Sequence, residues 1–90
     1  NLGKWLGEEP EGLMEEEYFR LGQQRREESI PLSQVVIALL QTRRNLWHFV
    51  ELQGWDTVFD LRQQLDLEIQ VVRFFDRAII HAVRGYEAEA

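Results

Sequence analysis

Apolar residues recur every three or four positions along the C-terminal part of the chain, and this rhythm limits the possible folds more than any other feature. The residues that follow it are Val58, Leu61, Leu65, Ile69, Val72, Phe75, Ile79, Val83 and Tyr86. Steps of three and four place side chains on one face of an α-helix. The pattern predicts one long helix over residues 57–84, with Asp56 or Thr57 as its cap and Gly85 where it frays, bends or ends.

The length of this helix has a consequence for the fold. At about 1.5 Å per residue it measures roughly 40 Å, which is more than the shorter elements before it can easily cover. A 3-4 rhythm sustained over several turns is typical of bundle helices and coiled-coil stalks. We therefore expect part of the helix to project from the domain or to pair with a second copy of the chain.

A central helix is predicted over residues 32–53. Its apolar residues are Leu32, Val35, Val36, Leu39, Leu40, Leu46, Trp47, Phe49 and Val50. Pro31 suits a first helical turn, where its missing N–H would have no partner, and Ser29 or Ser33 can cap nearby amides. Gly54 suits the position just after the helix. The two apolar halves are separated by a polar belt, which consists of residues 41–45 (QTRRN).

The N-terminal part of the chain predicts a further helix over residues 13–28, with Leu13, Met14, Tyr18 and Leu21 on one face. Glycine, proline and glutamate residues predict a turn at residues 8–12. Residues 1–7 have the spacing of the end of another helix. We expect the chain to be a fragment of a longer protein.

These elements together predict a single all-α domain over residues 1–90. Ninety residues can bury only a small core, so self-association is a reasonable way to cover what remains exposed. Strand signals are nearly absent, because no Asn-Gly or Asp-Gly turn separates alternating runs. The predicted architecture is an up-down helical bundle with a long C-terminal helix, completed by dimerisation.

Charge and composition exclude several functions. The formal net charge is -6 and the sequence pI is about 4.8, which argues against nucleic acid as a partner because phosphate binding requires positive charge. The absence of cysteine excludes disulfides and thiolate metal sites, and it is compatible with a cytoplasmic location. No apolar run approaches the roughly 20 residues of a membrane helix, so no membrane partner is expected.

The sequence contains no recognisable catalytic motif, and we expect neither an enzyme nor a cofactor. There is no nucleophile elbow, phosphate-binding loop or metalloprotease motif. His48 and Glu51 have a spacing that could supply two metal ligands, but the further ligands of a specific site are missing, so no metal is expected. His81 lies in an apolar context that favours packing over a role as phosphoacceptor.

The polar belt and the nearby residues Trp47 and His48 supply the candidate site residues. Arg43 and Arg44 cannot both face solvent if apolar residues surround the helix, so one of them is expected to pair with a carboxylate such as Glu68 or Asp76. The alternative is that an arginine binds an anionic ligand. The candidate residues for a ligand or a buried pair are Arg43, Arg44, Trp47 and His48.

Several segments resemble one family of regulatory domains. They are residues 18–22 (YFRLG), 25–26 (RR), 30–39 (IPLSQVVIAL), 43–47 (RRNLW), 74–78 (FFDRA) and 85–87 (GYE). Their spacing is similar to that of the RsbRD-type N-terminal helical domain, found in RsbT co-antagonists of the bacterial stress pathway and ahead of sensor histidine kinases. The resemblance implies an input or dimerisation module whose last helix leads into a downstream output domain. It implies no ligand residues.

Three functions remain open at this point. The first is a cytoplasmic bacterial signalling input domain that acts as a homodimer and contacts a downstream domain of the same chain or a protein partner. Its expected dimer interface is Val72, Phe75, Ile79, Val83 and Tyr86. The second is a small-ligand or haem sensor with its site between the central and last helices. The third is a protein–protein adaptor that binds through Phe74, Phe75 and Tyr86.

Overall fold

The computed structural model describes residues 11–52 and 58–88. These residues form three helices, α1 (Glu11–Glu27), α2 (Leu32–Glu51) and α3 (Val58–Glu87), and no strand occurs among them. The predicted all-α class is therefore confirmed. The helix end expected at residues 1–7 and the expected roles of Gly54, Asp56 and Thr57 lie outside the described residues. Within the described ranges, no helix combines the length and apolarity needed to cross a membrane.

The helix bounds differ from the predicted ones at several ends. Helix α1 begins at Glu11, so Gly12 lies in the helix and not in the predicted turn. Helix α2 ends at Glu51, slightly before the predicted end at residue 53. Helix α3 continues through Gly85 to Glu87, so the predicted end at residue 84 was wrong. Gly85 is buried, and packing there outweighs the low helix propensity of glycine.

The turn between α1 and α2 is built on Ser29, which has a φ of 61°. The Ser29 N–H donates to the Arg26 carbonyl and the Ile30 N–H donates to the Arg25 carbonyl, both at 3.0 Å. A residue with positive φ followed by this pair of hydrogen bonds is the Schellman ending of a helix. Ser29 therefore terminates α1.

The start of α2 also differs from expectation. The N-cap residue is Pro31, and no side chain caps the helix, so the expectation that Ser29 or Ser33 caps it was wrong. The Pro31 carbonyl accepts hydrogen bonds from the N–H groups of Gln34 (3.0 Å) and Val35 (3.3 Å). Ser29 cannot serve as the cap because its backbone already completes the preceding helix.

Replacing Ser29 with glycine should stabilise the domain by about 0.5–1 kcal/mol. A side chain on a residue with positive φ costs about 1–2 kcal/mol, part of which is offset by the greater flexibility of glycine in the unfolded chain. Urea unfolding would measure the difference. Ser33→Gly is the matched control, because it lies within α2 and should destabilise the domain by about 1 kcal/mol at most. A loss of stability in the Ser29→Gly variant would contradict this account of the turn.

Helix α3 lies between the other two helices, which touch each other little. It packs most extensively on α1, which runs parallel to it, and less on α2, which runs antiparallel, giving an up-down-up arrangement. The buried residues of α3, among those described, are Val71, Phe74, Phe75, Ala78, His81, Ala82 and Gly85. All of them except Val71 lie in its second half. Helix α1 has 17 residues against 30 in α3, so at about 1.5 Å per residue it cannot cover the whole of α3.

Helices α1 and α3 approach each other closely at two glycines. A Cβ atom on Gly22 would lie 2.7 Å from the Tyr86 backbone nitrogen and still closer to the Ala82 carbonyl oxygen. A Cβ atom on Gly85 would lie 2.7 Å from the Phe19 carbonyl carbon and still closer to its oxygen. Because these neighbours are backbone atoms, a side chain could be accommodated only if the helices moved apart.

The C-terminal end of α3 is anchored by two side chains. The Arg26 guanidinium donates to the carbonyl oxygens of Tyr86 (3.0 Å) and Ala88 (2.7 Å), which lack partners within the helix. The Tyr86 hydroxyl donates to the Ile30 carbonyl at 2.7 Å. The end of α3 is therefore tied to α1 and to the α1–α2 turn.

Candidate functional site

A groove of about 360 Å³ lies between α2 and α3. It is lined by Arg43, Arg44, Trp47, Glu68, Val71 and Val72. Because side chains three and four positions apart share one face of a helix, α2 presents Arg43 and Trp47 together, and α3 presents Glu68 and Val72 together. The structure therefore brings together three of the four predicted site residues and one of the two carboxylates expected beside them.

The arginines of the groove do not form the expected buried pair. Arg43 is half-buried and Arg44 is exposed, and within the described part of the chain neither forms an ion pair with Glu68 or Asp76. Both carboxylates are themselves exposed, so water can solvate them. The expectation of a buried arginine–carboxylate pair was wrong on this point. The groove offers two guanidinium groups beside an indole ring and aliphatic carbons.

The two histidines lie apart from this groove. His48 is exposed and does not line it, although the sequence placed it among the candidate residues. His81 is buried on α3, and neither ring nitrogen has a hydrogen-bond partner. Within residues 11–52 and 58–88, no three histidine, aspartate or glutamate side chains come together as a potential metal site. The histidines do not converge on a shared site.

A second candidate surface is an apolar stripe on the first half of α3. We use the name α3 stripe for Leu61, Leu65, Ile69 and Val72, which are between 41% and 60% exposed. Steps of four, four and three residues place these side chains on one side of the helix. Four large aliphatic side chains exposed on one face mark a potential interaction surface.

The α3 stripe overlaps the predicted dimer interface at Val72 only. Phe75 is buried in the core against Phe74, with ring centroids 5.2 Å apart. Ile79, Val83 and Tyr86 are half-buried, and the Tyr86 hydroxyl is already bonded to Ile30. These four residues of the predicted interface therefore pack within the folded monomer, because α1 and α2 cover that part of α3.

The structure also differs from the surface that was predicted for a protein–protein adaptor. Phe74 and Phe75 are only 4% and 3% exposed, respectively. Tyr18 packs edge-on against Phe74, with ring centroids 5.9 Å apart. The two phenylalanines therefore hold the helices together and are not accessible to a partner in the folded domain.

Four exposed charged residues lie close to the α3 stripe in sequence. Arg62, Asp66, Arg73 and Asp76 are all exposed, and none forms an ion pair or a side-chain hydrogen bond within the described part of the chain. The sequence analysis gave Arg62, Asp66 and Arg73 no role, and it named Asp76 only as a possible partner of Arg43 or Arg44. The signal that could have identified them is that each directly follows a residue of the apolar rhythm, namely Leu61, Leu65, Val72 and Phe75.

No family model, no curated protein and no solved structure matches the chain.

Proposed function

We propose that the chain is a non-catalytic input and dimerisation domain of a cytoplasmic bacterial signalling protein. Two copies associate through the α3 stripe, and a signal passes along α3 to a downstream output domain. The observation that carries this proposal is the exposure of Leu65 and Ile69 at the centre of the stripe. The resemblance to the RsbRD-type domain supports the signalling role.

The division of α3 into two halves supports this mechanism. Its first half carries the α3 stripe, while its second half packs closely on α1 at Gly22 and Gly85. A continuous helix joins the two, so a displacement at the stripe is transmitted to the end held by Arg26. Such coupling requires two arrangements of similar free energy, of which association stabilises one.

The size of the stripe sets the expected affinity. Full burial of one large aliphatic side chain contributes about 1.5–3 kcal/mol, and these side chains are already about half covered in the monomer. Association must also offset the loss of translational and rotational freedom. We therefore expect a reversible dimer whose population depends on concentration.

Replacing Ile69 with serine should weaken association at least about tenfold, because it places a hydroxyl at the centre of the apolar contact. Sedimentation equilibrium would measure the dissociation constant, and circular dichroism would verify that helicity is kept. Ile37→Ser is the matched control, since Ile37 is 49% exposed on α2 and Ile69 is 50% exposed. Equal dissociation constants for the two variants would contradict the proposal.

A second candidate function is binding of a small anion that carries an apolar group. The observation that favours it is the position of Arg43 and Arg44 beside Trp47, with no ion pair to either arginine in the described part of the chain. Guanidinium groups bind carboxylates in a bidentate manner, and the indole provides an apolar contact.

This candidate function predicts a thermal shift with an aromatic carboxylate such as benzoate. A ligand at about ten times its Kd stabilises a protein by about 1.4 kcal/mol. Arg43→Gln should abolish the shift, whereas His48→Ala should retain it because His48 lies outside the groove. The absence of a shift in the parent chain at millimolar benzoate would exclude this ligand class.

A further inference from the structure

Three arginines and one isoleucine form a row along the second half of α3. Arg73, Arg77, Ile80 and Arg84 follow one another in steps of four, three and four residues, which places them within about 60° of one another around the helix. We call this set the arginine row. Arg73 and Arg84 are exposed, Arg77 is half-buried and Ile80 is 49% exposed. Ala82, which packs on α1, lies on the opposite side of the helix.

The arginines of this row lack the partners that the arginines of α1 have. On α1, Arg20 pairs with Glu16 and Arg25 pairs with Glu28, while Arg26 donates to backbone carbonyls at the end of α3. None of the three arginines in the row forms an ion pair or a side-chain hydrogen bond among the residues that the structure describes. Within the described ranges, the row therefore carries three positive charges that no carboxylate neutralises.

The neighbours of Arg77 on its own helix cannot neutralise it. Side chains three and four positions apart are neighbours on a helix surface. For Arg77 they are Arg73, Phe74, Ile80 and His81, none of which is a carboxylate. Arg73 adds a like charge four residues away, a spacing at which like charges are unfavourable. A carboxylate that binds at the centre of the row must therefore come from outside α3.

The length of the row determines the kind of anion that it can bind. The row spans roughly 16 Å from Arg73 to Arg84, which is too long for a single carboxylate or phosphate group. Glutamates at four-residue intervals on a second helix repeat every 6 Å or so, as the arginines do. Guanidinium groups bind carboxylates in a bidentate manner, and Ile80 offers an apolar contact between the charges. The row therefore fits an acidic amphipathic helix.

Nucleic acid and an anionic membrane fit the row less well than a helix does. Both are continuously negative, and the chain has a formal net charge of -6. The exposed carboxylates of Asp66, about two turns before the row, and of Asp76, beside Arg77, would face such a surface unfavourably. A protein helix can carry uncharged or basic residues at these places and acidic residues opposite the arginines.

We propose that the arginine row is the docking surface for an acidic amphipathic helix of a partner protein. The three arginines bind its carboxylates, and Ile80 contacts an apolar residue between them. The row shares no residue with the α3 stripe, so this inference goes beyond the proposed dimer and does not depend on it. The partner would bind close to the end of α3 that Arg26 holds.

A synthetic acidic helix tests this surface on the full chain. The probe is a fluorescein-labelled, alanine-rich peptide of about 20 residues, long enough to form a helix in water. It carries glutamates at four-residue intervals along one face, with an isoleucine between them. The reference peptide has the same composition, but its glutamates are distributed around the helix. Fluorescence anisotropy at about 50 mM salt would measure both dissociation constants, because screening is weak there.

The parent chain should bind the probe at least about tenfold more tightly than the reference peptide. Arg84→Gln should weaken binding of the probe about threefold, and the double variant Arg73→Gln and Arg84→Gln about tenfold, since exposed ion pairs contribute modestly. Arg20→Gln is the matched control, because Arg20 is exposed on α1 and already pairs with Glu16. It should bind the probe as the parent chain does. Circular dichroism would verify that every variant keeps its helicity.

Equal affinity of the parent chain for the two peptides would overturn the inference, and so would equal affinity of the double variant and Arg20→Gln for the probe. Binding to phosphatidylserine vesicles without binding to the probe would assign the row to a membrane surface. Loss of a dimeric mass in the double variant would assign it to a second copy of the chain. A monomeric parent chain that still binds the probe would overturn the proposed dimer and leave this inference standing.

Discussion

Replacing Phe75 with alanine is expected to lower the free energy of unfolding by about 3–5 kcal/mol, the usual cost of removing a fully packed aromatic ring. Phe75 is 3% exposed and belongs to one core cluster with Met14, Val71, Phe74 and Ala78. Small domains have only about 5–15 kcal/mol of total stability. The variant should therefore unfold at much lower urea concentration than the parent chain, or be partly unfolded in its absence.

Phe49→Ala provides the matched control, because the Phe49 ring is 59% exposed near the end of α2. This variant should lose no more than about 1 kcal/mol. Urea titrations followed by circular dichroism would measure both effects. Equal losses in the two variants would contradict the position of Phe75 in the core and would return it to the candidate interaction surface.

Replacing Gly85 with alanine is expected to destabilise the domain by roughly 1–2 kcal/mol. In an ordinary helix interior the same substitution stabilises by up to about 1 kcal/mol, because alanine favours the helix. At Gly85 the added methyl group meets the Phe19 backbone, and overpacking of this kind costs about 1–3 kcal/mol. The clash with the Phe19 backbone outweighs the higher helix propensity of alanine, because neither helix backbone can shift locally.

Gly12→Ala is the natural control for this result. Gly12 is also helical, but a Cβ atom there would meet no atom within 4 Å. Its replacement should leave stability unchanged or raise it slightly. A stabilised Gly85→Ala variant would show that α1 and α3 do not approach each other as closely as described.

The helices were predictable from the sequence because their apolar residues recur at helical intervals. The rhythm from Leu61 to Tyr86 predicted a single long helix, and α3 is one, from Val58 to Glu87. The ends were less predictable, since they depend on tertiary contacts. Gly85 is a helix breaker by propensity, but in the fold it is the residue that allows α1 to approach.

The buried face of α3 was not predictable from hydrophobic periodicity. Ala78, Ala82 and Gly85 form the contact with α1, yet small side chains add little to an apolar pattern. The pattern of large residues follows a neighbouring side of the helix, which includes the buried Phe75 and the half-buried Ile79 and Val83. Part of that side, at Leu65 and Ile69, remains uncovered because α1 reaches only the second half of α3.

The groove was partly predictable. The polar belt identified Arg43 and Arg44, and the helical spacing added Trp47, all of which line the groove with Glu68. His48 follows Trp47 in sequence but points away from the groove, since adjacent residues on a helix lie about 100° apart. That neither arginine pairs with Glu68 or Asp76 could not be predicted, because pairing depends on the distance between helices.

The solution mass of the 10.7 kDa chain, measured by light scattering from about 1 μM to about 1 mM, tests the central claim most directly. Association through the α3 stripe predicts a mass that rises reversibly with concentration towards twice the monomer value. The Ile69→Ser variant should remain near the monomer mass over the same range. A parent chain that stays at 10.7 kDa throughout would contradict the account of this domain as a dimerisation module.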